Sequence, residues 1–135
     1  MIVVDTSVLI MALGRRPGVA MSTAAIVLRR LIEADTPLAV PGIVCQELLA
    51  GARTEQHFER LRGVLEGFPI LVADQRTHER AARIAALCRW SGVAASAVDC
   101  LIAAQTVTLD GMLYSLDKDF ERMAPHCGLV LFDAG

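Results

Sequence analysis

The chain has 135 residues, of which 54% are hydrophobic, 21% charged and 4% aromatic, and its formal net charge is −2. This length and hydrophobicity predict one globular domain, residues 1–135, with an aliphatic core, and they exclude an intrinsically disordered protein. No uninterrupted apolar stretch approaches the roughly 18 residues of a membrane span. The N-terminus also lacks the basic segment of a secretory signal, so we expect a cytoplasmic protein with no membrane partner.

Short apolar runs alternate with helical patterns along the whole chain. The predicted strands are Ile2–Asp5, Pro37–Val40, Pro69–Val72, Met112–Leu116 and Leu129–Phe132. The predicted helices run from about Ser7 to Leu13, Ser22 to Ala34, Pro41 to Gly51, Thr54 to Glu66, Asp74 to Trp90 and Ser96 to Leu109, with a short one from near Asp117. Such alternation predicts an α/β protein in which a parallel sheet is covered on both faces.

Five acidic residues lie beside or within apolar segments, at Asp5, Glu47, Asp99, Asp117 and Asp119. A carboxylate held against an apolar framework is costly unless it is paired or bound to a metal. Asp5 and Asp117 also fall at the carboxyl ends of predicted strands, where functional groups of open parallel sheets gather. We therefore expect these carboxylates to converge on a divalent cation.

Each acid has a purely structural alternative. Asp5 suits the N-cap of a helix, and Asp99 completes a capping box that begins at Ser96. Asp117 and Asp119 suit a cap followed by a first-turn acid, and Glu47 suits a solvated helix face. The joint placement of all five favours the metal site over these separate explanations.

The rest of the sequence narrows the chemistry to oxygen ligands. The four cysteines form no C-x-x-C pair and are predicted to be reduced, small and buried, and no His lies near them at zinc-ligand spacing. Mg²⁺ or Mn²⁺ suits carboxylate ligands, and such a cluster can activate water for phosphoryl displacement. No P-loop, G-x-S-x-G or G-x-G-x-x-G motif offers another route.

Four segments of the chain carry a resemblance to a known family. They are Val4–Ile10 (VDTSVLI), Gln46–Gly51 (QELLAG), Val98–Ala104 (VDCLIAA) and Leu113–Phe120 (LYSLDKDF). In this order and over this length they resemble the PIN-domain nucleases, and specifically the VapC-type ribonuclease toxins of toxin–antitoxin pairs. The resemblance implies a three-layer α/β/α sandwich with a central parallel sheet of about five short strands.

The resemblance also implies a set of functional residues. The catalytic acids would be Asp5, Glu47, Asp99 and Asp117, the metal ligands Asp5, Asp99, Asp117 and Asp119, and the supporting hydroxyls Ser7 and Ser115. It further implies dependence on Mg²⁺ or Mn²⁺, cleavage of structured RNA, a homodimer and inhibition by a cognate antitoxin. Ser115 stands where the family usually has Thr.

Two surfaces for partners are predicted as well. Arg15 and Arg16 follow the first helix and Arg53 follows the Glu47 helix, so they could bind RNA phosphates at the rim of the cleft. The resemblance also implies that the antitoxin tail wraps apolar grooves between the early helices. Such a groove could be lined by Leu9, Leu13, Ile26 and Leu48, although ordinary core packing is favoured for any one of them.

Several other functions fit part of the pattern. A receiver-like domain would need two acids after the first strand, and an aspartyl phosphatase would need D-x-D where Ser7 stands. A catalytically silent PIN fold is disfavoured because all four main acids are present. An RNA-processing nuclease without an inhibitor remains the main alternative to a toxin.

Overall fold

The computed structural model describes residues 1–14 and 18–135, which form five strands and seven helices. The strands are β1 (Ile2–Val4), β2 (Leu38–Pro41), β3 (Ile70–Leu71), β4 (Met112–Tyr114) and β5 (Val130–Leu131). The helices are α1 (Thr6–Leu13), α2 (Thr23–Glu33), α3 (Gly42–Ala50), α4 (Glu55–Leu65), α5 (Gln75–Trp90), α6 (Ala97–Thr108) and α7 (Asp119–Cys127).

All five strands are parallel and lie in the order β3-β2-β1-β4-β5. The chain builds outward from β1 through β2 and β3 on one side, then returns to place β4 on the other side. The direction of winding therefore switches between β1 and β4, which is where open parallel sheets place their functional crevice. Helices flank the sheet, so the predicted α/β/α fold class is confirmed.

Several helices begin where a local side chain caps them. The side chains of Ser22, Thr54, Asp74 and Ser96 each accept the backbone N–H three residues further on. Each bond satisfies one of the free N–H groups of a first helical turn. These interactions lie within one turn of the chain, which is why the sequence predicted these four helix starts to within a residue or two.

The core lies along the central strands. Val3, Val4, Val40 and Leu113 are fully buried, whereas the edge strands β3 and β5 are only partly covered. Helix α6 buries six of its residues, as its nearly uniform apolar character predicted. The carboxyl ends of β1 and β4 are thus held rigidly side by side, with Val4 opposite Tyr114.

Some predicted boundaries differ from the structure at the ends of strands. Asp5 is not part of β1 but occupies the N-cap position of α1, and α7 begins at Asp119 rather than near Asp117. Pro41 ends β2 and precedes α3. These shifts matter because they place the acids in the connections that follow β1 and β4.

Two of the four candidate groove residues pack in the core, which is the interpretation that the sequence favoured for each of them. Leu9 and Leu48 are buried in the core, so they cannot line an open groove.

Two of the four cysteines are buried as predicted, whereas Cys45 and Cys127 are half-buried. In the part of the chain that is described, no helix has the length and apolar character needed to cross a lipid bilayer.

Candidate functional site

Three of the five predicted acids meet at the carboxyl edge of the sheet, beyond β1 and β4. Oxygen atoms of Asp99, Asp117 and Asp119 all lie within 4.8 Å of one another. Asp99 comes from the first turn of α6, while Asp117 and Asp119 come from the β4–α7 connection and the start of α7. Residues separated by about 20 positions in sequence therefore present a compact set of carboxylates to one point.

Asp5 adjoins this group and is 5% exposed. Its Oδ2 accepts hydrogen bonds from Ser7 Oγ (2.8 Å) and from Ser115 Oγ (2.7 Å). No backbone N–H of the first turn of α1 donates to its side chain, so Asp5 does not cap this helix through its carboxylate, although the Ser7 hydroxyl of that turn donates to it. The structure therefore disfavours the capping explanation for this residue.

The two serine hydroxyls are oriented by backbone donors. Ser7 Oγ accepts the N–H of Leu116 (2.9 Å), and Ser115 Oγ accepts the N–H of Asp117 (3.0 Å). Because each hydroxyl already accepts a backbone N–H, its own proton is free to point at Asp5. These hydrogen bonds join the connection after β4 to the start of α1, and Oδ2 of Asp5 accepts two of them.

Glu47 lies beside the group rather than within it. It is exposed on α3, and its Oε1 accepts a hydrogen bond of 2.9 Å from Thr6 Oγ1. Thr6 directly follows Asp5, so this bond brings Glu47 to the Asp5 side of the cluster. The sequence singled out Glu47 but missed Thr6, whose only signal is its position next to a site acid.

Asp99 shows the electrostatic cost of the arrangement. Burial, together with the negative charges of Asp117, Asp5 and Asp119, raises the pKa of Asp99 from its ordinary value of 3.8 to about 6. A bond with the Ser96 side chain acts in the opposite direction on this pKa, and Ser96 Oγ also accepts the N–H of Asp99 (3.1 Å). The Ser96 side chain therefore caps α6 at the Asp99 N–H, and the Asp99 carboxylate faces the other acids.

Two more contacts fix the acids of the β4–α7 connection. The N–H of Asp119 donates to Asp117 Oδ1 (2.9 Å), and Arg122 Nη1 forms an ion pair with Asp119 Oδ1. Arg122 was not predicted as a site residue. Its signal in the sequence is the spacing of three positions from Asp119 on one helix, at which oppositely charged side chains meet.

The group of donors fits a hard divalent cation. All its ligand atoms are carboxylate oxygens, which suit Mg²⁺ or Mn²⁺, and a cation would relieve the repulsion that raises the pKa of Asp99. The neighbouring thiol does not fit this role, because burial raises the pKa of Cys100 to about 11. A thiol, unlike a thiolate, is a poor ligand and a poor nucleophile.

The predicted RNA-binding arginines are only partly described. Arg53 is exposed in the connection between α3 and α4, and its backbone N–H donates to His57 Nδ1 (3.3 Å). Arg15 and Arg16 lie outside the described residues. Arg53 thus lies three residues beyond the end of α3, the helix that carries Glu47.

The fold and the site define a class of protein, namely a parallel α/β/α domain with a carboxylate cluster at the point where the winding of the sheet reverses. The model of the PIN domain family matches residues 2–125. The chain therefore belongs to the PIN domain family, as predicted, and this membership supports a nuclease function.

Solved structures share the same fold. FitAcB from Neisseria gonorrhoeae is 23% identical, with a TM-score of 0.77 over 99% of this chain and 98% of that chain. VapBC2 from Rickettsia felis, bound to a DNA fragment from their promoter, is 21% identical, with a TM-score of 0.79 over 98% of each chain. A toxin–antitoxin complex from Klebsiella pneumoniae is 23% identical, with a TM-score of 0.69 over 89% of this chain and 90% of that chain.

Proposed function

We propose that this protein is a Mg²⁺- or Mn²⁺-dependent endoribonuclease that acts as the toxin of a toxin–antitoxin pair in the cytoplasm. The observation that carries the proposal is the convergence of Asp99, Asp117 and Asp119 within 4.8 Å, in a PIN domain. Buried Asp5 adjoins this group through the hydroxyls of Ser7 and Ser115. Such a set of carboxylates serves hydrolysis of a phosphodiester without any nucleophilic side chain.

Each acid has a distinct role in this proposal. Asp99, Asp117 and Asp119 would hold the cation, and Asp5, whose Oδ2 already accepts two hydroxyl protons, would add negative charge beside them. When bound, the cation supplies an activated water and neutralises charge that develops on the phosphate. Glu47, which is held by Thr6, orients the water from the exposed side of the cluster.

The variant Asp5→Asn tests the metal-dependent chemistry. Asn keeps the shape of the side chain and an oxygen that can accept from Ser7 and Ser115, but it removes the charge. We expect RNA cleavage to fall by at least about 100-fold while the circular dichroism spectrum is unchanged, as for loss of a major electrostatic interaction at a site. Asp133→Asn, an exposed acid outside the cluster, is the matched control. Full activity of the wild-type protein in excess EDTA would refute the proposal.

The ends of the cleaved RNA test the mechanism. Attack of water on phosphorus leaves a 5′-phosphate and a 3′-hydroxyl, whereas attack by the 2′-hydroxyl leaves a 2′,3′-cyclic phosphate. The second route needs a general acid and a general base, for which paired histidines are the usual choice. Mass spectrometry of the products distinguishes the two routes, and cyclic phosphate ends would contradict the proposed mechanism. A DNA strand of the same sequence tests the preference for RNA.

Basic side chains around the cleft would bind the phosphates of the substrate. Arg53 is exposed beyond α3, and the proposed contacts also include Arg15 and Arg16. The logarithm of the affinity falls linearly with the logarithm of the salt concentration. Each lost phosphate contact makes this slope less steep by roughly one for a duplex and by somewhat less for a single strand. Changing Arg15 and Arg16 to Glu should lower both the affinity and this slope. An unchanged slope would remove the pair from the interface.

The toxin assignment is supported by the kind of complex in which similar folds occur. One similar structure is a toxin–antitoxin complex, and VapBC2 shares 98% coverage with this chain. The chain also exposes apolar side chains on α1 and α2, since Ile10 and Met11 are more than half exposed and Ile26 is 39% exposed. An antitoxin segment could cover these residues and place a basic side chain in the acidic cluster.

Growth of a bacterium that expresses the chain alone tests the toxin assignment. We expect arrest with the wild-type chain, normal growth with Asp5→Asn, and rescue when the neighbouring reading frame is co-expressed. Normal growth with active wild-type protein would favour the alternative of an RNA-processing nuclease without an inhibitor. Light scattering of the purified protein tests the homodimer that is also part of the proposal.

A further inference from the structure

The acidic cluster carries its own positive charge, in the side chain of Arg122. Arg122 lies one turn after Asp119 on α7, and its Nη1 forms an ion pair with Asp119 Oδ1. The other ion pairs of the described residues join Arg29 or Arg62 to glutamates outside the cluster. Within residues 1–14 and 18–135, Arg122 is therefore the basic side chain whose ion pair reaches a cluster acid.

The position of Asp119 makes this ion pair relevant to a metal. Its backbone N–H donates to Asp117 Oδ1, and its carboxylate lies within 4.8 Å of the oxygens of Asp99 and Asp117. One carboxylate thus faces both the other acids and Arg122. A divalent cation at the cluster and the guanidinium at Oδ1 would then be two positive charges on either side of the Asp119 carboxylate.

We propose that Arg122 is a built-in counter-ion that competes with the divalent cation for Asp119 and thereby sets the metal affinity of the site. The inference rests on the proposed metal site. Without metal, the guanidinium neutralises one carboxylate of a crowded negative group. With metal, it loses part of that attraction and repels the cation, so the protein binds metal less tightly than its carboxylates alone would.

The size of the effect follows from the exposure of the pair. The side chains of Arg122 and Asp119 are 63% and 50% exposed, so water and salt screen their interaction with a cation. A single charge about 6 Å from a divalent cation changes the binding constant about tenfold in water, and salt reduces this to roughly three- to tenfold. Replacing Arg122 by Gln should therefore tighten metal binding by about that factor.

A simpler role for Arg122 predicts the opposite sign. If the guanidinium only oriented Asp119 as a ligand, its removal would loosen the carboxylate and weaken metal binding. If the pair were an ordinary exposed ion pair, its removal would leave metal binding unchanged, since such pairs contribute little. The direction of the change in metal affinity therefore separates the three roles.

Calorimetric titration of the purified full-length protein with Mn²⁺, repeated with Mg²⁺, measures this direction. We expect Arg122→Gln to lower the dissociation constant three- to tenfold, and to enlarge the rise in melting temperature that Mn²⁺ produces. Arg62→Gln is the matched control, because Arg62 also pairs with an acid three residues earlier, Glu59, and the charge change is the same. We expect this control to leave the dissociation constant as it is in the wild type.

A second variant tests whether the competition acts through Asp119. In an Asp119→Asn background no ion pair holds the guanidinium beside the cluster, so Arg122→Gln should change the dissociation constant less than twofold. An equal effect in both backgrounds would overturn the competition. Unchanged or weaker binding by Arg122→Gln alone would also overturn it and leave the proposed nuclease intact. If the wild-type protein binds neither cation, the proposed function fails and this inference fails with it.

Discussion

Replacement of Asp99 by Asn is expected to stabilise the metal-free protein while removing its ability to bind metal. In the folded protein, burial and the neighbouring acids raise the pKa of Asp99 from 3.8 to about 6. Its charged form is thus less favourable at neutral pH in the folded state than in the unfolded state. Asn has nearly the same shape and cannot carry that charge.

The magnitude can be worked from the pKa. A change of one pKa unit corresponds to about 1.4 kcal/mol, so a rise from 3.8 to about 6 would be worth about 3 kcal/mol without screening. Asp99 is partly exposed, and screening reduces this value substantially. Loss of an acid from the first turn of α6 costs up to about 1 kcal/mol in addition. A net gain of about 1 kcal/mol remains, which raises the melting temperature by about 3 °C.

The pH dependence fixes the sign of the effect. Because the pKa of Asp99 is higher in the folded protein than in the unfolded chain, the contribution of this residue to the free energy of unfolding depends on pH. That stabilising contribution is fully present below pH 3.8 and is lost as the pH rises through about 6. The wild-type protein and Asp99→Asn should therefore melt at similar temperatures near pH 4. Above pH 6 the variant should melt at the higher temperature.

Thermal unfolding followed by circular dichroism between pH 4 and 8, in EDTA, tests this prediction. Asp133→Asn, which changes an exposed acid, should show no such pH-dependent difference. Addition of Mg²⁺ should raise the melting temperature of the wild type and leave Asp99→Asn unchanged, because a ligand stabilises only a state that it binds. A variant that melts below the wild type at pH 7 without metal would refute the reasoning.

Three further variants test the contacts around the site. Ser115→Ala removes a hydroxyl that donates to Asp5, so unfolding in urea should show a loss of about 1–2 kcal/mol in stability and calorimetry should show weaker metal binding. Ser115→Thr keeps a hydroxyl and should retain the stability and the metal affinity. Equal losses in the two variants would contradict this role. Leu113→Ala empties a fully buried position in β4 and should cost about 2–5 kcal/mol, and a loss below about 1 kcal/mol would argue against that burial. Thr6→Val frees Glu47 and should slow RNA cleavage severalfold at unchanged melting temperature, and unaltered cleavage would exclude Glu47 as an oriented group.

Local chemistry explains why so much of the fold could be predicted. The caps at Ser22, Thr54, Asp74 and Ser96 act within three residues, and the apolar pattern of each helix repeats within two turns. Short apolar runs between these helices predicted a parallel sheet. The acids were conspicuous for the same reason, because a carboxylate within an apolar segment stands out against its immediate neighbours.

The limits of prediction appear where two segments must meet. The sequence left Leu9 and Leu48 as candidates for a groove or for the core, since apolar residues on a helix suit either place. Their packing in the folded chain assigns them to the core. Asp5 was equally suited to a cap and to a site. Its carboxylate caps no backbone N–H of α1, and its Oδ2 instead accepts the hydroxyl protons of Ser7 and Ser115.

The sequence by itself indicated the main elements, the parallel sheet and the acids that are proposed to form the site. The tertiary structure decided the strand order β3-β2-β1-β4-β5, and with it which acids converge. Placing β4 beside β1 brings Ser115 to Asp5 across 110 positions, and it sets Asp119 with its Arg122 next to Asp99. Local propensities act over a few residues and contain no information about which strands pair, so contacts of this range arise only when the whole chain packs.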